Sequence, residues 1–218
     1  MGDYMPNPVD FYIKERELMV KTQIEARGIH DKVILKSLRE VPRHLFVPED
    51  IRHFAYTDAP LSIGYGQTIS QPYIVGLMSE AANIKPTDRV LEIGTGCGYQ
   101  AAILSKLCQE VYTIEIIELL AQQAQNVIRK LGYTNIKIRI GNGFDGWLEA
   151  APFDAIIATA SPKQIPQSLL TQLKLGGRLI IPVGEPHQQN LLRIIKTESG
   201  IKEEYLLPVR FVPMIETR

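Results

Sequence analysis

The chain has 218 residues, 45% of them apolar, enough for one large domain, or one domain with a small appendage, around a full hydrophobic core. Its 24 lysines and arginines match its 24 aspartates and glutamates, which excludes bulk electrostatic capture by nucleic acid or an anionic membrane, and no apolar run approaches a membrane span. Cys97 and Cys108 are too few for a disulfide framework and lack metal-ligand spacing; with no signal-peptide pattern, the expectation is a reducing cytoplasm.

Residues 1–8 carry Pro6 and Pro8 and little else, and predict a loose start. From Val9 the apolar spacing at Phe11, Leu18, Met19 and Ile24 predicts a helix that Gly28 stops. A second helix fits Asp31 to Arg39, with Asp31 as its cap, Val33, Ile34, Leu35 and Leu38 turned inward, and Pro42 ending it. These helices have no strands to pair with, so residues 1–58 are expected to form a helical appendage to a domain spanning 59–218. Tyr56 to Pro72 has neither helical nor clean strand periodicity and reads as a long glycine-bearing loop, the kind compact domains keep for lids and binding. Pro72 then opens a helix to about Ala82, with Ile74, Leu77, Met78 and Ala81 as its apolar face. Ser70 either caps that helix or serves a site on the loop, and spacing alone favours the cap.

The stretch from Arg89 to Ala102 is the most informative. Val90, Leu91 and Ile93 make the apolar run of a buried parallel strand, Gly94, Gly96 and Gly98 permit a tight turn, and Tyr99 to Leu107 continues as a helix. Such a turn aims free amides and the positive helix end at a ligand. The spacing is Gly-x-Gly-x-Gly, whereas a dinucleotide site wants Gly-x-Gly-x-x-Gly, and position 99 is Tyr. Glu110 to Glu115 reads as the next strand, ending on an acid about 20 residues beyond Gly94, where a carboxylate accepts hydrogen bonds from both hydroxyls of an adenosine ribose. S-adenosylmethionine fits, because it has no pyrophosphate and needs no phosphate-spaced third glycine. The bland alternative is a tight turn beside a solvated strand end. An NAD-linked dehydrogenase is disfavoured by the glycine spacing and the lack of a proton-relay constellation. A non-catalytic adenosine-binding or RNA-associated module is left open by the glycines alone.

Further on, Leu119 to Leu131 is helical and closed by Gly132, and Ile136 to Ile140 is a third strand. Gly141-Asn142-Gly143 makes a second glycine-flanked turn, expected to face the first across the cofactor. Phe153 to Thr159 reads as a fourth strand, Pro166 to Leu173 as a helix, and Gly176-Gly177 turns into a fifth strand, Arg178 to Val183. Leu191 to Lys196 and Leu206 to Val212 are short and β-rich, a hairpin-like addition at one sheet edge. The predicted class is therefore α/β, doubly wound, with a mostly parallel sheet. Cys97 and Cys108 have no cationic neighbours in sequence and are not expected as nucleophiles, while His44, Asp154 and Trp147 read as packing residues.

From about Val9 to Met214 the chain resembles the protein-L-isoaspartate O-methyltransferases. The marks are Val41-Pro42-Arg43-His44-Leu45-Phe46-Val47-Pro48, the loop Ile63-Gly64-Tyr65-Gly66-Gln67-Thr68-Ile69-Ser70-Gln71-Pro72, the glycine stretch from Val90 to Ala102, Glu149 to Ile156, and Pro208-Val209-Arg210-Phe211-Val212-Pro213. The resemblance implies an S-adenosylmethionine-dependent methyltransferase fold and methyl transfer to the free carboxylate of L-isoaspartyl residues in age-damaged proteins and peptides. The ester then closes to a succinimide whose hydrolysis returns some normal aspartate. It implies Ser70 in the active site, Gln67, Thr68, Ile69, Val75, Glu92, Gly94, Thr95, Gly96, Cys97, Glu115, Asn142 and Gly143 at the cofactor, and no metal. Two positions depart from the usual pattern: Asn142 stands where the family has aspartate, and Cys97 where it often has serine. The expected partners are isoaspartyl proteins and peptides as substrates, with no nucleic acid or membrane, and the expected form is a cytoplasmic monomer.

Overall fold

Val90 and Leu91 are fully buried and Ile93 is 2% exposed, on a strand covered on both faces, and the fold is centred there. This computed structural model describes residues 8–216, with side chains from Phe11 onward, so the loose start expected for residues 1–8 falls outside them except for the backbone of Pro8. The central strand is β3 (Arg89–Ile93); β1 (Leu61–Gly64) and β2 (Gln67–Ile69) form a separate antiparallel hairpin ahead of it. Beside β3 lie β4 (Glu110–Glu115) and β5 (Ile136–Ile140) on one side and β6 (Phe153–Ala158) and β7 (Leu173–Glu185) on the other, all parallel. Two antiparallel strands, β8 (Gln188–Thr197) and β9 (Gly200–Val209), extend the sheet to the order β5-β4-β3-β6-β7-β8-β9. The chain leaves β3 toward β4 and returns on its other side as β6, so the switch point where ligands collect in doubly wound sheets lies between β3 and β6.

Successive strand residues face opposite ways, and the two cores sort accordingly. Val90, Ala155, Ile157 and Ile180 join the cluster that holds Val20, Ile24 and Leu38 of the N-terminal helices, whereas Leu91, Ile156, Ala158 and Leu179 pack with Leu169 on the other face. The N-terminal helices thus share a continuous core with the sheet. The connecting helices are α1 (Pro8–Met19), α2 (Lys32–Glu40), α3 (Pro72–Ala81), α4 (Tyr99–Ser105), α5 (Glu118–Lys130) and α6 (Gln167–Thr171).

Several expectations need correction. The helix predicted from Val9 to Gly28 is not continuous: a wide π turn spans Val20–Ile24 and a 3₁₀ turn Glu25–Arg27. Met19, Val20 and Ile24 are buried, while Phe11 is 39% and Leu18 55% exposed, so packing selects only the end of the segment. On α2 the Asp31 carboxylate accepts from the amides of Val33 and Ile34, as a cap should, but Val33 faces solvent. The stretch 56–72 is not one loop. Gly64, Tyr65 and Gly66 all have positive φ and turn β1 back onto β2, a geometry that leaves too few strand residues to show alternation. The helix predicted over Pro166 to Leu173 is only Gln167–Thr171, because Leu173 already belongs to β7. Gly176-Gly177 lies inside that long strand and does not precede it, and β8 and β9 each run ten residues where short segments were expected.

Candidate active site

The turn after β3 is held from below by β4. The amides of Gly94 and Thr95 both donate to the Ile114 carbonyl, at 2.9 and 3.1 Å. Gly94 has φ +95°, and a Cβ there would stand 2.5 Å from Thr159 Oγ1, so only glycine fits. Thr159 directly follows β6 and donates its hydroxyl to the Gly94 carbonyl at 2.7 Å, joining the ends of the two strands at the switch point.

Two acids frame this turn. Glu115, 5% exposed, accepts from the Gly96 amide at 2.8 Å with one oxygen and from the Ile117 amide at 2.9 Å with the other. Glu92 is fully buried; one oxygen accepts from Thr113 Oγ1 at 2.6 Å and the other has no protein partner. Thr113 Oγ1 lies 2.7 Å from Thr95 Oγ1, so a chain of hydroxyls connects the glycine turn to Glu92. Burial pushes the Glu92 carboxyl up to about 8, with the neighbouring Glu115 adding to the rise and the Thr113 hydrogen bond opposing it. Burial also pushes the Cys97 thiol up to about 11, which leaves it a neutral thiol.

A cleft opens over these groups, enclosing about 780 Å³ with its mouth included. Its floor is Glu92, Ile93, Gly94, Thr95, Gly96 and Cys97, with Ile114 to Ile117 on one side and Gln67, Thr68, Ile69, Ser70 and Val75 on another. Every predicted site residue except Asn142 lines it. Gly143 does so, but the Asn142 side chain is turned back onto its own loop, where its carbonyl oxygen accepts from the Phe144 amide at 3.0 Å and caps a 3₁₀ turn. Ser70 does not cap α3: its N-cap is Gln71 and makes no side-chain cap bond.

Sequence reasoning missed one wall. Val212, Pro213, Met214 and Ile215, which follow β9, close the cleft beside Thr159 and Ala160. The Ser161 amide donates to the Val212 carbonyl at 2.9 Å and the Met214 amide to the Ser161 carbonyl at 2.8 Å. Thr159 was findable as the end of a strand at the switch point. Val212-Pro213 belongs to a family mark read from the sequence, but nothing local to 212–215 announces that the segment reaches the cleft.

Among the described lining residues Glu92 and Glu115 are the carboxylic acids and no lysine or arginine is present; Ile114, Ile116, Val75 and Met214 add apolar surface. This donor set fits a cationic adenosyl ligand. Glu115 suits a ribose diol, the unpartnered oxygen of Glu92 suits an ammonium or sulfonium, and nothing there would neutralise a pyrophosphate. A second cleft meets the first at Thr68, Ser70, Thr159 and Val212 and runs outward past Arg27, Tyr73, His187 and Leu207 to Phe211.

His44, Asp154, Trp147 and Cys108 line neither cleft. His44 Nδ1 lies 2.7 Å from Tyr56 Oη and its ring stacks on Tyr12 at 4.0 Å; burial, with Arg16 and Arg52 nearby, lowers it to about 4. Asp154 accepts from the Arg89 amide and from Lys174, and Trp147 packs edge-on against Tyr112. Cys108 is buried and donates to the Leu104 carbonyl.

Comparison with known proteins agrees with this geometry. A family profile described as protein-L-isoaspartate(D-aspartate) O-methyltransferase matches residues 14–218. The protein-L-isoaspartate O-methyltransferase of Picosynechococcus sp. is 54% identical, covering 98% of this chain and 94% of its own, and that of Opitutus terrae is 55% identical, covering 91% and 86%. A Plasmodium falciparum structure described as a protein-L-isoaspartate O-methyltransferase in complex with S-adenosyl-L-homocysteine superimposes with a TM-score of 0.82 at 27% identity, covering 93% of this chain and 99% of that one.

Proposed function

The chain belongs to the protein-L-isoaspartate(D-aspartate) O-methyltransferase family and is an S-adenosylmethionine-dependent enzyme that methylates isoaspartyl carboxylates, and we propose that Ser70 orients the acceptor where the two clefts meet. The observation that carries this is the placement of Ser70 and Thr68 on both clefts, the first lined by acids and the second by Arg27, His187 and Arg210. In this reading the first cleft holds the cofactor through Gln67, Thr68, Ile69, Val75, Glu92, Gly94, Thr95, Gly96, Cys97, Glu115 and Gly143. Asn142 contributes by shaping the turn that carries Gly143. The second cleft takes the damaged protein or peptide.

Bound S-adenosylmethionine supplies an electrophilic methyl group on a cationic sulfur. The acceptor carboxylate, with an ordinary pKa near ~4, is already ionised at neutral pH, so the protein needs no general base. The surrounding side chains agree: His44 is outside both clefts and the Cys97 thiol stays protonated. What remains for the protein is positioning and exclusion of water. The Ser70 and Thr68 hydroxyls donate to or orient the carboxylate, and the 212–215 segment shields it.

We assign the enzyme to the cytoplasm as a monomer; the two unpaired cysteines support a reducing compartment, and no helix of the described residues is long and apolar enough to cross a membrane. The described residues up to 58 are taken as a helical appendage that packs onto one face of the methyltransferase unit that begins at residue 59. The test is methyl transfer from labelled S-adenosylmethionine to an isoaspartyl peptide and to its aspartyl twin. Transfer to the first alone is expected; equal transfer to both would overturn the assignment of the second cleft.

A further inference from the structure

Arg43 is fully buried, yet no carboxylate among the described residues pairs with it. It sits in a 3₁₀ turn, Arg43–Leu45, and reaches Ser70, the residue that follows the β1–β2 hairpin. Its Nε donates to the Ala55 carbonyl at 2.7 Å and one terminal nitrogen donates to the Ser70 carbonyl at 2.8 Å. The other terminal nitrogen has no hydrogen-bond partner, and the guanidinium carbon stands 4.8 Å from the centre of the Tyr99 ring. Tyr99 opens the helix after the glycine turn and itself lines the first cleft. A buried cation without a counter-charge is expensive, and an apolar side chain would fill the same space at less cost. The fork is instead placed where it can fix two backbone carbonyls and one wall of the cleft together, which the point charge of a lysine cannot do.

We propose that Arg43 is a positioning residue for the methyl transfer: by holding the Ser70 carbonyl it fixes the backbone that carries Ser70 at the junction of the two clefts. This inference rests on the assignment of Ser70 above. It makes the N-terminal turn part of the site's architecture without touching substrate. The contact also supplies positive potential on the side where an anionic acceptor must come to rest.

A double-mutant cycle tests it. Arg43→Lys should lower kcat/KM for an isoaspartyl peptide by about tenfold, the scale of one charge-assisted hydrogen bond, with S-adenosylhomocysteine affinity changed little. In a Ser70→Ala background the same substitution should change kcat/KM by less than about twofold, since the hydroxyl it positions is gone. Additive effects would overturn the proposal and leave Arg43 a structural residue. If Ser70→Ala alone leaves kcat/KM unchanged, the assignment of Ser70 falls and this inference falls with it. Arg43→Met, which removes the buried charge along with its donors, is the second variant should the lysine variant unfold. A measurement on the unmodified enzyme stands beside both: the Arg43 side-chain ¹⁵N resonances should shift when an isoaspartyl peptide binds to the S-adenosylhomocysteine complex, and unshifted resonances would overturn the proposal.

Discussion

Glu115 holds the glycine turn that it faces: its carboxylate accepts the Gly96 amide at 2.8 Å while its other oxygen accepts the Ile117 amide at 2.9 Å. One side chain therefore braces the turn after β3 against the start of α5, and in our assignment also binds the ribose. Glu115→Ala should raise the dissociation constant of S-adenosylhomocysteine by about tenfold or more, each charge-assisted bond being worth roughly 1.5–3 kcal/mol before discounting for solvent. It should also lower the melting temperature of the free protein by a few degrees, because two part-buried amides lose their acceptor. Titration calorimetry and scanning calorimetry on the same variant check both; unchanged affinity in a folded protein would remove Glu115 from the cofactor site.

Ser70→Ala should lower kcat substantially while S-adenosylhomocysteine binds nearly as before. At saturating S-adenosylmethionine the kcat/KM profile for an isoaspartyl peptide should stay flat from about pH 6 to 7, below the Glu92 titration near 8, because the acceptor titrates near ~4 and His44 is held neutral down to about 4. His44→Gln should leave that profile flat. A limb near pH 6.5 that vanishes in His44→Gln, or a methylated serine trapped by mass spectrometry, would overturn the mechanism.

Asn142→Asp restores the family's usual acid. The asparagine side chain caps the turn before Phe144 and does not line the cleft, and an aspartate can make the same cap. The expected result of a cofactor titration is unchanged or modestly tighter binding. A clear loss of affinity would mean that the turn depends on the amide.

Glu92 makes stability depend on pH in an unusual direction. Burial holds its proton up to about pH 8, whereas the unfolded chain releases it near the ordinary value of 4.5. Between those limits the folded state binds the extra proton, so the Glu92 contribution falls as pH rises through the window, by up to about 1.4 kcal/mol per unit. Urea denaturation of the ligand-free protein at several pH values should show Glu92→Gln gaining on the unmodified protein from pH 5 to 8. A constant difference would mean that Glu92 is ionised throughout.

The parallel strands were legible because their residues are apolar on both faces: β4 and β5 fall on their predicted bounds, and β3 and β6 within a residue or two. The hairpin of β1 and β2 was not, since its turn depends on Tyr65 adopting a positive φ that composition does not announce. Phe11, Leu18 and Val33 were misplaced because an apolar side chain at a suitable spacing buries only if something packs over it. At the site, glycines and an acid at a strand end are local signals, and they brought together most of one cleft. Arg43 and the 212–215 wall reach the cleft only through long-range contacts, which periodicity does not encode.

The wall after β9 also sets an order of assembly. The glycine turn, Glu92 and Glu115 leave the ribosome well before Val212 to Ile215, and Ser161 cannot engage Val212 and Met214 until β7, β8 and β9 have been laid down in turn. A nascent chain can thus carry the acids of the site without an enclosed chamber, and a ligand that requires enclosure acts as a checkpoint on the finished sheet, stabilising only molecules whose last strand has docked.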